Sequence, residues 1–155
     1  MGRLWNNKKV MPWILAASFV MLASVPFLVP HSGLVALFSF VPLFCLADYC
    51  RDYRVKRADG LYYATFFLFN AVTTFWIWVI TPVGAVFAIA ANAFFMWLIF
   101  KLFCLSKKVW RGALPYLFFI TAWVGWERIY QNIELSWPWL ILGNSFAVSP
   151  KLVQW

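Results

Sequence analysis

The chain has 155 residues, of which 65% are hydrophobic, 22% aromatic and only 12% charged. Soluble domains carry about 25% charged residues, so this chain has too little polar surface to cover itself in water. Its net charge of +8 would suit a nucleic-acid partner, but the basic residues fall between apolar runs and no soluble scaffold is present, which excludes a nucleic-acid-binding module. We therefore expect an all-α membrane protein surrounded by membrane lipids.

Five apolar runs predict about five transmembrane helices, because a helix needs about 20 residues to cross a bilayer. The predicted helices cover about residues 11–30, 34–50, 61–80, 83–104 and 110–128. The first run has the basic flank of a secretory signal peptide. However, it is longer than the apolar core of a signal, contains Pro26 and Pro30, and lacks a clear cleavage site, so we favour a retained helix.

The basic residues predict the orientation of these helices. With a cytoplasmic N-terminus, eleven of the thirteen Lys and Arg residues fall on the cytoplasmic side. They are Arg3, Lys8, Lys9, Arg51, Arg54, Lys56, Arg57, Lys101, Lys107, Lys108 and Arg111. Only Arg128 and Lys151 remain on the other side. Because short cytoplasmic loops are enriched in Lys and Arg, this split predicts a cytoplasmic N-terminus.

Polar and small residues lie inside the third and fourth predicted helices. They are Asn70, Thr73, Thr74, Gly84, Ala88 and Asn92. The last three recur at every fourth position and share one helix face, where small residues let helices approach and an amide can bond across the contact. We favour this packing role, and the alternative is an amide that faces a lipid or substrate cavity.

The stretch at 129–155 differs from the helices before it. It is apolar and rich in tryptophan, but Pro138, Gly143 and Pro150 interrupt it. Irregular backbone at membrane depth is tolerated only where protein buries it or where it lines a cavity, and tryptophan favours the headgroup region. We predict an interfacial loop on the non-cytoplasmic side, either as an aromatic anchor or as one wall of a lipid-facing site.

Particular motifs in this stretch resemble a known family. Glu127 and Arg128 at a helix end, followed by Trp-Pro-Trp-Leu at 137–140 and Leu-Gly-Asn-Ser at 142–145, are similar to motifs of the apolipoprotein N-acyltransferases. The aromatic third run, which ends at Thr-Pro-Val-Gly (81–84), also resembles this family. The likeness covers nearly the whole chain, and its specific part lies at about residues 123–155.

The resemblance implies a bacterial inner-membrane enzyme with a periplasmic reaction site. Such an enzyme transfers an acyl chain from a phospholipid donor to the N-terminal diacylglyceryl-cysteine of a lipoprotein acceptor, through a thioester on a cysteine. It implies lipid-binding or substrate-binding roles for the loop and the helix end. The candidate residues are Trp137 and Trp139 to pack acyl chains, Pro138 to set the turn, Gly143 to allow close backbone approach, and Glu127. Glu127 would pair with Arg128 or orient the loop, or would attract the ammonium of the acceptor.

The catalytic groups of the family belong to a nitrilase-like domain, which the resemblance places downstream of further transmembrane helices. We therefore expect this chain to be an N-terminal fragment or a truncated gene product that binds lipid without catalysing the reaction. Cys45, Cys50 and Cys104 fall on the cytoplasmic half without a nearby base and are interpreted as packing residues. The sequence has no CxxC, and His31 lacks ligand partners, so we expect no metal and no cofactor.

A second hypothesis is a non-enzymatic membrane scaffold or a small transporter subunit, in which the tryptophan-rich loop is only an anchor. A downstream nitrilase-like domain containing Glu, Lys and Cys would favour the enzyme. A stop codon after Trp155 in an intact gene, with no such domain nearby, would favour the scaffold.

The predicted orientation can be tested by cysteine labelling. In a variant whose native cysteines are replaced by serine, His31→Cys should react with an impermeant maleimide from the periplasm. Val55→Cys should react only after the cytoplasmic side is opened, because the basic segment around it is predicted to stay inside. The reverse pattern of labelling would contradict the orientation.

Overall fold

The computed structural model describes residues 7, 10–132 and 138–147, and within these ranges it is helical with no strand. The helices are α1 Met11–Leu28, α2 Ala36–Asp52, α3 Ala58–Thr73, α4 Ile77–Ile80, α5 Pro82–Val109 and α6 Leu114–Tyr130. Short 3-10 turns cover Gly33–Val35, Pro138–Leu140 and Leu142–Phe146. The predicted all-α fold class is confirmed.

Three of the described helical segments are long and apolar enough to cross a membrane. They are Met11–Leu28, Gly33–Asp52 and Pro82–Val109. Helices α3 and α6 have 16 and 17 residues, so each is about 25 Å long, slightly less than the ~30 Å hydrocarbon core. The count of five crossings therefore stays a prediction.

The predicted third helix, 61–80, is divided in the structure. Helix α3 ends at Thr73, and the chain then tightens into i→i+3 hydrogen bonds, such as the one from Ile77 N to Thr74 O at 3.1 Å. The Thr74 hydroxyl donates to the Asn70 carbonyl at 2.6 Å and that of Thr73 to the Phe69 carbonyl at 2.7 Å. Side chains that bond these carbonyls favour a bend in the helix at this point.

A second break lies between α4 and α5. Thr81 is extended (φ −150°, ψ 96°), the conformation that a residue before proline favours, and Pro82 occupies the first turn of α5, where its missing N–H costs nothing. The Thr81 hydroxyl accepts a hydrogen bond from Gly84 N at 3.0 Å. A Cβ at position 84 would collide with that hydroxyl, so the N-terminal cap of α5 accounts for this glycine.

Helices α3 and α5 are joined by a buried hydrogen bond between two amides. Asn92 Nδ2 donates to Asn70 Oδ1 at 2.6 Å, and Asn70 Nδ2 donates to the Phe66 carbonyl at 2.8 Å. The favoured packing role is confirmed for both asparagines. The predicted packing face was wrong at Gly84, which is exposed, and the buried face includes Ala85 and Ala93 as well as Asn92.

Aromatic rings fill the interior between the helices. Phe66 on α3 meets Phe19 on α1 with ring centroids 5.6 Å apart and Phe100 on α5 at 5.8 Å. Phe119 on α6 lies 5.3 Å from Phe103. Lipid tails are as apolar as these side chains, so close ring packing, rather than escape from water, stabilises the contacts between the helices.

The described basic residues of the predicted cytoplasmic segments lie at one end of the bundle. There Lys107 Nζ contacts Asp48 Oδ1 at 2.5 Å and the Tyr116 hydroxyl at 3.1 Å, which ties α5 to α2 and α6. Lys101 pairs with Asp59 at 3.1 Å. The segments at 29–35 and 138–147 meet at the opposite end.

The amide pair between α3 and α5 supports a prediction about stability. Asn92→Leu removes the donor to Asn70 Oδ1 and should lower the free energy of unfolding by about 1 kcal/mol, because a buried acceptor loses its partner. The measurement is unfolding in mixed micelles followed by tryptophan fluorescence.

The control is Thr121→Val on α6, whose hydroxyl bonds only within its own helix and which should change the free energy little. The double variant Asn70→Leu/Asn92→Leu should lose less than the sum of the single variants. Strict additivity would show that the two amides do not interact.

Candidate functional site

An apolar groove of about 300 Å³ lies between α2 and α6. Its walls include Phe40, Phe44, Phe119, Ile120, Trp123 and Val124. Residues 138–147, called here the roof segment, close one end of it through Leu142, Ser145 and Phe146. Apolar pockets for small molecules and lipid chains have volumes of about 300–1,000 Å³, so the groove is large enough to hold part of an acyl chain.

Two aromatic residues of α2 keep the groove open. Phe40 meets Trp123 with ring centroids 5.1 Å apart, and Phe44 meets Phe119 at 5.2 Å, both edge to face. These rings bridge α2 and α6 across the base of the groove. Ile120 and Val124, both exposed, form its outer edge. The groove can therefore be reached from the side of the bundle.

Glu127 connects α6 to the roof segment. Its Oε1 accepts a hydrogen bond from Trp123 Nε1 at 2.9 Å and another from the backbone N–H of Leu142 at 3.0 Å. Trp123 and Glu127 are four residues apart and lie on one helix face. A half-buried carboxylate that accepts two donors in this way holds the irregular segment in place, since that segment has few backbone partners of its own.

The roof segment also packs closely on the turn before α2. A Cβ added at Gly33 would lie 2.7 Å from the Ser145 carbonyl oxygen and 2.8 Å from the Phe146 ring. Only glycine allows this approach without displacing the segment. Within the segment, Ser145 Oγ donates to the Leu142 carbonyl at 2.6 Å and Leu140 is buried.

The predicted site residues have different positions in this arrangement. Glu127 contacts the roof segment, and the described hydrogen bonds of its carboxylate go to Trp123 and Leu142 rather than to Arg128. Its expected roles, which include orienting the loop, stay predictions. Trp139 is half exposed and packs on Trp76 with centroids 5.3 Å apart, away from the groove.

The remaining predicted residues contribute less. Gly143 is exposed, and a Cβ there would meet no atom within 4 Å, so no intramolecular contact in the described structure requires glycine. Pro138 begins the 3-10 turn Pro138–Leu140. Trp137 lies outside the described residues, as do 133–136 and 148–155 of the predicted loop.

Three residues that shape this arrangement, Gly33, Leu142 and Phe146, were not predicted from the sequence as site residues. The four-residue spacing of Trp123 and Glu127 signals their shared helix face, but nothing in the local sequence shows that Leu142 N–H supplies the second donor. That contact joins residues 15 apart. Glu127 and Asn92 also line the same small space of about 20 Å³ under the roof segment, which no local sequence pattern indicates.

Comparison with known proteins identifies the family. The model of the apolipoprotein N-acyltransferase N-terminal domain matches residues 16–155. The chain belongs to this family. An apolipoprotein N-acyltransferase from Chlorobaculum tepidum is 33% identical over 90 residues, which make up 57% of this chain and 16% of that protein. No solved structure matches the chain. The resemblance deduced from the tryptophan-rich motifs is confirmed.

Membership of the apolipoprotein N-acyltransferase N-terminal domain family agrees with the apolar helices and places the chain in an acyltransferase family. The matched region includes the groove, the Glu127 contacts and the roof segment. Cys50 and Cys104, by contrast, lie toward the basic end of the bundle and, like Cys45, form no disulfide.

The Glu127 contacts support a prediction about the roof segment. Glu127→Ala removes the acceptor for Leu142 N–H, and the amide of Leu142 should exchange its hydrogen about tenfold faster, as expected for the loss of one hydrogen bond. Glu127→Gln keeps an oxygen acceptor and should stay close to the unmodified chain. Hydrogen–deuterium exchange with mass spectrometry measures both. Unchanged exchange in Glu127→Ala would show that the carboxylate does not hold the segment.

Proposed function

We propose that this chain is the membrane-embedded N-terminal part of an apolipoprotein N-acyltransferase that binds the phospholipid donor. The enzyme transfers an acyl chain from that phospholipid to the N-terminal diacylglyceryl-cysteine of lipoprotein acceptors. This part contributes the lipid-binding surface, and the cysteine nucleophile and its base belong to a nitrilase-like domain elsewhere in the enzyme. The family match over 16–155 supports this assignment.

The observation that carries the proposal is the apolar groove beneath a segment held by a carboxylate. A lipid tail needs apolar walls and lateral access, and the groove offers Phe40, Ile120 and Val124. A reaction at the ester of that lipid needs the tail to stop at a defined depth. The roof segment, held by Glu127 and seated on Gly33, provides such a limit at one end.

The orientation proposed for the chain agrees with the two unlike ends of the bundle. The basic end would face the cytoplasm of a bacterium, and the roof segment would lie at the periplasmic face of the inner membrane. Helix α3 together with α4, and helix α6, would complete five crossings, with shortened helices accommodated by local thinning of the bilayer. Lipoprotein acceptors are reached on the periplasmic side, so the roof segment would be close to them.

Trp139 has a distinct role in this proposal. Its half-exposed ring packs on Trp76 at the break between α3 and α4, outside the lining of the groove. Trp139 and Trp137 would contact acyl chains that leave the groove, and the open space at Gly143 would admit the backbone or headgroup of a substrate.

Filling the groove tests the proposed function. In the full-length enzyme that contains this chain, Val124→Trp places a large ring at the groove edge and should lower kcat/KM for acyl transfer about tenfold or more, because the lipid tail loses its position. The assay is mass spectrometry of N-acylated lipopeptide formed from phospholipid.

The matched control is Leu68→Trp on α3, which is half exposed and lines none of the described cavities. It should leave kcat/KM nearly unchanged. Equal losses for both variants, or a loss explained by lower expression, would contradict a role for the groove. The chain of residues 1–155 alone should bind phospholipid but form no N-acylated product.

A further inference from the structure

A second cavity, of about 470 Å³, lies at the basic end of the bundle and plays no part in the proposed acyl transfer. It is lined by Pro12, Trp13, Val55, Lys56, Arg57, Gly60 and Leu61. Pro12 and Leu61 are buried and form an apolar floor, whereas Lys56, Arg57 and Trp13 are exposed at its rim. An apolar floor below a rim of two cations suits an amphiphile with a negative headgroup.

The two cations are available to a ligand. The ion pairs between described residues join the neighbouring basic side chains Arg51, Lys101 and Lys107 to aspartates, and none of them involves Lys56 or Arg57. Arg57 has a left-handed backbone (φ 61°), which an L-residue adopts only at a cost. This conformation ends the turn between α2 and α3 and sets both cations beside the start of α3.

The start of α3 adds further positive potential. Its N-cap residue is Arg57, and no side chain caps the first-turn N–H groups. Such groups attract anions. Asp59, in the same turn, is directed to Lys101 on α5, with an N–O distance of 3.1 Å, so its charge is already paired. Gly60 lines the cavity, with open space where a Cβ would stand.

Trp13 indicates the depth of the cavity in a membrane. This residue is 58% exposed in the first turn of α1, and tryptophan favours the headgroup region of a bilayer. The cavity thus lies where the phosphate of a lipid would be, with the sides of α1 and α3 continuing toward the acyl chains. Anionic lipids are attracted to basic segments at this level.

We infer that the cavity between the start of α1 and the start of α3 is a binding site for one anionic phospholipid of the leaflet at the basic end. The phosphate contacts Lys56, Arg57 and the N-terminus of α3, and the acyl chains lie against Pro12 and Leu61. This site is at the opposite end of the bundle from the groove, so its ligand is a lipid that stays intact rather than the acyl donor.

The test uses the purified full chain in mild detergent, titrated with dioleoyl phosphatidylglycerol, dioleoyl phosphatidylcholine or inorganic phosphate. Native mass spectrometry measures the retained lipid, and a thermal shift measures the effect on stability. Phosphatidylglycerol should bind at one saturable site and raise the Tm, whereas phosphatidylcholine should bind much more weakly.

Lys56→Gln/Arg57→Gln should weaken phosphatidylglycerol binding about tenfold or more, since two charges near the phosphate are lost. The matched control is Lys108→Gln/Arg111→Gln, which removes the same charge from exposed positions at the same end, outside the described cavities. The control should change binding less than about threefold, because it affects only the general surface potential.

Gly60→Asp is a second variant that introduces a carboxylate beside the cavity where no neighbour obstructs it, and it should also weaken binding. Three outcomes would overturn the inference. Equal losses in the two charge variants would indicate a diffuse surface effect. Equal binding of phosphatidylcholine would show that charge is not recognised. Equal stabilisation by inorganic phosphate would indicate a site for a free anion rather than a lipid.

Discussion

A lipid tail offers no hydrogen bond to a peptide group, and this constraint explains both the regular and the irregular parts of the chain. Each backbone N–H and C=O inside the bilayer needs a partner within the protein. Where a helix bends or ends at depth, a side chain or a tighter turn supplies that partner. Thr74 bonds the end of α3, Thr81 caps α5, and the Ser32 hydroxyl donates to the carbonyls of Val25 and Val29.

The roof segment is the strongest case of this rule. It is irregular beyond its short 3-10 turns, and it is apolar enough to contact lipid. The Glu127 carboxylate accepts the Leu142 N–H, and Gly33 lets the segment lie against the turn before α2. The same contacts close one end of the apolar groove. The hydrogen bonds that the roof backbone needs therefore also determine the shape of the candidate site.

Ring packing determines where the bundle is tight and where it is open. Phe66 and Phe100 are fully buried among the rings between α1, α3 and α5. Helices α2 and α6 meet instead through the long side chains of Phe40, Phe44 and Trp123, which hold the two backbones apart. A groove remains beside these rings. The ion pairs between described residues lie toward the other end, where the Lys107–Asp48 contact joins α5 to α2.

The sequence by itself determined the membrane class, the all-α fold and the family. Composition and hydropathy indicate whether a chain is surrounded by lipid or by water, and motifs such as Trp-Pro-Trp-Leu indicate its family. Both can therefore be deduced without coordinates. Asn70 and Asn92 could also be predicted as packing residues, since buried amides seek each other in lipid. Glu127 could be singled out from the sequence because a carboxylate in so apolar a chain needs a partner, and its role in a site stays a prediction.

Tertiary structure alone decided the rest. The division of the third helix depends on which carbonyls the threonine side chains reach. Gly84 lies outside the packing face of α5, because it is needed where Thr81 caps the helix. The groove residues come from α2, α6 and the roof segment, and Leu142 meets Glu127 across 15 residues. Local patterns specify which residues can form helices and caps, but only the packing of one helix on another decides which side chains meet.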